Sequence, residues 1–205
     1  RVVARQQQMV RCDFEDCPNR ETLTRHLRVF DEILSEHKVL LLSDYGKGGL
    51  SHITHMISKA RTAGLPILVD PKGSDYDRYK GATVITPNRT ELQQVVGQWY
   101  SESELAEKAQ NLRERLELKY LLLTRSEEGM TLYSDEGSLT VPTQAREVYD
   151  VSGAGDTVIA VLSTMVASGV PIEEAIRISN QAAGIVVGKL GTVPVSYAEL
   201  FGDSL

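Results

Sequence analysis

Cysteine, large aromatics and long apolar runs are all scarce in this sequence. Of 205 residues only two are cysteine, three phenylalanine and one tryptophan. Cys12 and Cys17 lie at the wrong spacing for a zinc knuckle, and no second Cys/His pair stands near them. A disulfide framework is not needed at this size, and both are expected to be free thiols in a reducing compartment. No apolar stretch approaches the roughly 20 residues of a membrane helix. The polar opening, Arg1 to Arg11, has no signal-peptide core, which makes a cytoplasmic location the default expectation. Basic residues are outnumbered, 22 to 28, leaving a formal charge of -6. That balance argues against nucleic acid or an anionic membrane as partner, while remaining compatible with one local cationic seat. The four histidines, His26, His37, His52 and His55, show no ligand spacing, and the chain has no internal repeat, low-complexity tract or linker.

What remains is an alternation of short aliphatic runs and amphipathic stretches suited to one domain with a sizeable core. Gln6 to Phe14 reads as a half-exposed strand, broken at Pro18 and Asn19. The spacing of Leu23, Leu27, Phe30, Ile33 and Leu34 predicts a helix over Glu21 to Ser35. Val39 to Ser43 is a continuous aliphatic run, as expected of a strand buried on both faces. Ser51 is placed to cap a helix ending near Ala63, with Gly64 as its stop. Further strands are expected at Ile67–Val69, Ala82–Ile85 and Tyr120–Leu123, with helices from Thr90 and over Glu102–Leu118. Met130–Tyr133 and Leu139–Val141 read as an antiparallel pair, and two last helices start at Thr157 and Pro171. This order predicts an α/β fold with a mostly parallel sheet covered on both faces. Ligands of such sheets bind at the strands' carboxyl ends, where Asp44, Asp70, Asn88 and Thr124 fall.

The segment Asp150-Val151-Ser152-Gly153-Ala154-Gly155-Asp156-Thr157 precedes an apolar helix. Its glycines let the backbone approach a ligand, and first-turn amides with the helix dipole form an anion site. Asp156 could there accept a proton from an attacking hydroxyl. Alone, the pattern fits a tight turn with a capping aspartate just as well, since it is neither the dinucleotide nor the P-loop motif.

Taken with four further segments in order, it resembles the ribokinase-like (PfkB) carbohydrate kinases. Those segments are Ser43 to Gly48, Asp70 to Lys72, Thr86 to Glu91 and Thr124 to Gly129, within a match from Arg1 to about Phe201. Ala4 to Arg11, Leu123 to Met130 and Val187 to Thr192 are most similar to the branch acting on heptose 7-phosphates. The resemblance implies a ribokinase-like three-layer sandwich formed by residues 1–205 as one kinase domain, with residues 1–14 a lid or edge strand. It also implies that the family's first strands, a glycine pair and part of the lid precede Arg1, so that this chain alone is expected to be a poor kinase.

The activity implied is ATP-dependent phosphorylation of D-glycero-β-D-manno-heptose 7-phosphate at its anomeric hydroxyl, a step of ADP-heptose supply for lipopolysaccharide. By resemblance Asp156 is the catalytic base, and Gly153, Ala154 and Gly155 form the anion hole. Asn88, Arg89, Thr90, Glu91, Thr124, Ser126, Gly129, Asn180 and Ala183 are implied on the ATP side, with Mg²⁺ carried by the nucleotide. Asp150 and Ser152 are candidate ligands of K⁺; Ser152 stands where the family usually has Thr, and the hydroxyl is kept. Arg5, Arg11, Asp44, Lys47 and Lys72 are candidates for the sugar phosphate or the γ-phosphate. Asn88 to Glu91 reads equally as a helix start, with Thr90 as cap, and the three lysine and aspartate positions as solvated loop groups. Partners implied are the sugar phosphate, ATP and a second copy through lid strands. Another sugar or nucleoside kinase, and a nucleotide-binding module without turnover, are the competing readings.

Overall fold

The computed structural model describes residues 2–4, 7–10, 12, 14, 16–144 and 148–202. Eight strands and seven α-helices lie within the described residues. In chain order they are β1 (Val2–Ala4), β2 (Gln7–Val10), α1 (Arg20–Ile33), β3 (Leu40–Ser43), α2 (Ile53–Thr62), β4 (Ile67–Asp70), β5 (Val84–Ile85) and α3 (Arg89–Val96). Then follow α4 (Glu102–Arg115), β6 (Tyr120–Thr124), β7 (Met130–Ser134), β8 (Gly137–Val141), α5 (Ala154–Ala167), α6 (Ile172–Val187) and α7 (Tyr197–Phe201).

Six strands form one sheet in the order β3-β4-β5-β6-β7-β8. The pairs β3–β4, β4–β5 and β5–β6 are parallel, and β6–β7 and β7–β8 antiparallel. The run at 39–43, expected to be buried on both faces, instead forms the edge strand β3 with Leu41 exposed, whereas the run at 121–123 is covered as expected. Leu121 and Leu123 of β6 enter one core with Ile67, Val69 and Ile85, beneath α2 and α4. Leu122, between them, enters a second core with Leu68, Val84 and Val158 and Ile159 of α5. A strand sandwiched between two helical layers has no polar face, so each consecutive leucine is buried, at roughly 1.5–3 kcal/mol apiece.

The opening differs from the single strand expected over Gln6–Phe14. β1 and β2 pair antiparallel as a separate two-stranded sheet, and Val2, Met9 and Val10 are exposed. No glycine or proline stands between the two strands to mark the reversal in the sequence. Helix α1 starts at Arg20 with Asn19 as cap and gives way to a 3₁₀ turn at Leu34–Glu36; its apolar face buries only in part, through Phe30 and Leu34. Before α2, Ser51 does not cap: its hydroxyl donates to Gly48 O at 2.5 Å, and the helix begins after His52. Cys12 and Cys17 are free and exposed. Among the described residues, no helix is long and apolar enough to cross a membrane.

Candidate active site

The carboxyl ends of β4, β5 and β6 face the start of α5 across a cavity of about 620 Å³. On the sheet side stand Asp70, Thr86, Asn88 and Thr124, each at or just beyond a strand end. Gly153, Ala154, Gly155 and Asp156 close the other side. Thus three of the four strand-end groups read from the sequence meet in one cavity. The fourth, Asp44, lines a smaller neighbouring pocket with Arg78 and Asp75.

Helix α5 begins at Ala154, earlier than the expected Thr157, because Gly153 takes a left-handed φ of 82° as its N-cap. No side chain caps this end; the Ala154 N–H turns back to Val151 O at 3.2 Å, which leaves the next first-turn amides, those of Gly155 and Asp156, available to an anion. A Cβ on Gly153 would lie 2.7 Å from Thr192 Cγ2. Glycine is thus required here both by torsion and by space. Asp156, in the first turn and exposed, borders the cavity; its Oδ1 accepts the Tyr45 hydroxyl at 3.0 Å.

Asn88 is the cap of α3, where Thr90 was the alternative. Asn88 Oδ1 accepts the Glu91 N–H at 2.9 Å and Glu91 Oε2 accepts the Asn88 N–H at 3.0 Å, a complete capping box. Glu91 Oε1 accepts from Lys72 Nζ at 2.9 Å, and this hydrogen bond first of all holds the lysine's pKa above its usual value. Asp70, close by, has its carboxyl pushed up to about 6, by burial first and then by the charges of Glu91 and Asp156. Three carboxylates, Asp70, Glu91 and Asp156, line this one cavity and leave it short of positive charge. Among the described residues, however, no group of three His, Cys, Asp or Glu side chains could hold a metal by itself. The donor set therefore suits a hard cation that brings most of its oxygen ligands with it.

Thr124, Ser126 and Gly129 line the cavity on the β6–β7 loop. Gly129 has φ 88°, and a Cβ there would sit 2.1 Å from Val141 O, which fixes the loop against β8. Ser126 itself has φ 53°, unusual for a residue with a side chain. The loop is tied down by Arg125, whose guanidinium donates to both Glu102 oxygens at 2.8 Å and pairs with Glu128, while Glu128 also pairs with Arg89. Arg89 is thereby engaged in this network and Thr90 is exposed; neither lines the cavity. Asn180 is buried, its amide donating to Pro142 O at 2.7 Å, and lines the far end with Ala183. Val148, Val151, Val158, Gly184 and Val187 add apolar wall there, a feature no motif had marked.

The remaining candidates lie elsewhere. Asp44 is buried, with Oδ1 accepting the Gly46 N–H and Oδ2 the Tyr79 hydroxyl, both at 2.8 Å. Lys47 is exposed on the β3–α2 loop and does not line the large cavity. Asp150 Oδ1 accepts the Ser152 N–H at 2.9 Å just before α5. Arg5 and Arg11 lie outside the described residues.

Comparison with known proteins agrees with this geometry. The family model for pfkB family carbohydrate kinases matches residues 14–197. The D-beta-D-heptose 7-phosphate kinase of Bordetella bronchiseptica is 52% identical over 204 residues, which are 100% of this chain and 65% of that protein. The bifunctional protein HldE of Proteus mirabilis is 51% identical over 201 residues, 98% of this chain and 42% of that protein. The chain therefore spans less than two thirds of the length of these relatives. In fold it is similar to phosphofructokinase-2 from Escherichia coli in complex with potassium (TM-score 0.75, 19% identity, 90% of this chain and 61% of that one). It is also similar to Arabidopsis thaliana ribokinase complexed with ribose and ATP (TM-score 0.69, 22% identity, 85% and 55%). A mostly parallel sheet between helical layers, a glycine turn with its aspartate at the strand ends, and a family match over most of its length together establish that the chain belongs to the pfkB family of carbohydrate kinases.

Proposed function

We propose that this chain forms the phosphoryl-transfer part of an ATP-dependent kinase of D-glycero-β-D-manno-heptose 7-phosphate, acting on the anomeric hydroxyl to give the 1,7-bisphosphate for ADP-heptose supply. The observation that carries the reading is the placement of Asp156 beside the uncapped α5 terminus on the wall of the large cavity. The identity of 52% to a protein named for that substrate supports the choice of sugar.

In this reading ATP lies along the cavity, its base toward Asn180 and Ala183 and its phosphates toward Gly153–Gly155. Asp156 takes the proton of the acceptor hydroxyl as that oxygen bonds to the γ-phosphorus and the bridge to the β-phosphate breaks. The amides of Gly153, Ala154 and Gly155 stabilise charge on the phosphoryl oxygens in flight. Glu91 and Asp70 would hold the magnesium ion through its waters; bound there, the ion supplies neutralisation of phosphate charge. Asp150 and Ser152 are proposed as the site of a monovalent cation, with Arg5 and Arg11 as the seat of the 7-phosphate. Exposed Val2, Met9 and Val10 favour a homodimer through the β1–β2 hairpin.

The test is ADP release by the full-length protein with heptose 7-phosphate, unphosphorylated heptose, hexose 6-phosphates and nucleosides. Turnover is expected with the heptose 7-phosphate and not with nucleosides. Equal turnover with a nucleoside, or ATP binding by calorimetry without transfer to any sugar, would overturn the reading.

A further inference from the structure

One contact at the site is unexplained by the roles given so far. The Tyr45 hydroxyl donates to Asp156 Oδ1 at 3.0 Å across 111 residues of sequence. Tyr45 is 60% exposed, so burial does not hold its ring in place. Its neighbours do. Asp44, before it, is 6% exposed and anchored by the Gly46 N–H, the Tyr79 hydroxyl and Arg78 at 3.6 Å. Gly46, after it, turns the chain with a φ of 69°. The buried aspartate thus acts as a post from which the β3–α2 loop extends a phenol over the start of α5.

We propose that Tyr45 is a positioning residue for Asp156. A carboxylate in the exposed first turn of a helix swings freely about its side-chain torsions, and catalysis needs one oxygen aimed at the acceptor hydroxyl. A carboxylate only accepts hydrogen bonds, and the phenol supplies the donor that fixes one oxygen. The other, Oδ2, has no partner among the described residues and is left for the substrate proton. Holding the base in one orientation removes rotational freedom before the reaction, which is where positioning contributes to rate. The proposal rests on the reading of Asp156 as base.

The experiment is Tyr45→Phe in the full-length protein, alone and combined with Asp156→Asn. The substitution keeps the exposed ring and removes only the donor, so thermal stability is expected to stay unchanged. Turnover is expected to fall about tenfold, the scale of one hydrogen bond to a charged group in a partly wet site. The KM values for ATP and sugar should stay within about twofold, because the loss is confined to the chemical step. In the Asp156→Asn background the same change should cost nothing, since the group it serves is gone. Normal turnover for Tyr45→Phe beside an inactive Asp156→Asn would overturn the proposal while sparing the base. A raised sugar KM at unchanged kcat, or an equal loss in both backgrounds, would overturn it too. Full turnover by Asp156→Asn would instead remove the reading on which it stands.

Discussion

Gly153→Ala probes the turn at the mouth of α5, and two separable costs can be worked out for it. The first is torsional: the residue keeps a φ of 82°, which costs an alanine about 1–2 kcal/mol relative to glycine. The second is steric: the new Cβ meets Thr192 Cγ2 at 2.7 Å, well inside contact distance, and such overpacking costs about 1–3 kcal/mol. Stiffening of the unfolded chain returns about 0.4–1 kcal/mol. The net loss is about 1–4.6 kcal/mol, or roughly 2–18 °C in midpoint for a domain of this size. Thermal unfolding followed by circular dichroism reads it directly. Thr192→Ser removes the offending methyl and leaves the torsion, so the double variant should regain only the steric part. Turnover should fall in both, because the amides proposed to face the phosphoryl shift with the turn. Gly153→Ala melting within a degree of the parent, or complete rescue by Thr192→Ser, would refute the left-handed cap.

Three other perturbations test separate parts of the site. Asp70 binds its proton more tightly folded than unfolded, since its carboxyl is raised to about 6; the folded state therefore loses stability as pH rises from about 4 to about 6. Asp70→Asn should flatten that window and be more stable at pH 7 by on the order of 2–3 kcal/mol, checked by urea midpoints across pH. Asn88→Ala removes the side-chain half of the α3 capping box, leaving the backbone N–H of residue 88 on Glu91, and should cost about 0.5–2 kcal/mol by chemical denaturation. Arg125→Lys loses the two-pronged grip on Glu102 that holds the Ser126–Gly129 loop, and should raise the KM for ATP about threefold to tenfold with little change in kcat.

The residues that the sequence made legible were those whose role is local. Consecutive leucines at 121–123 mark a strand covered on both faces, but Leu40–Leu42 read the same way and lie in the edge strand β3, where Leu41 is exposed. The glycine turn before Asp156 is likewise a local device. Less legible was the cap of α3: Asn88 with Glu91 three residues on is a readable capping box, yet Thr90 stands between them as a competing hydroxyl. The reversal between β1 and β2 carried no turn residue at all. Contacts made by the fold left no trace in periodicity. Lys72 meets Glu91 only because the parallel pair β4–β5 brings their loops together, and Tyr45 meets Asp156 only across the cleft. The apolar end of the cavity is built from α5, α6 and the segment before α5, three places whose valines look individually like ordinary core.

A structure of the full-length protein with a non-hydrolysable ATP analogue and the sugar phosphate bears most directly on the account. The γ-phosphate should lie within hydrogen-bond reach, about 3 Å, of the amides of Gly153–Gly155. Asp156 should stand against the acceptor hydroxyl in the same crystal. A triphosphate bound away from the start of α5, or an acceptor oxygen out of reach of Asp156, would contradict it.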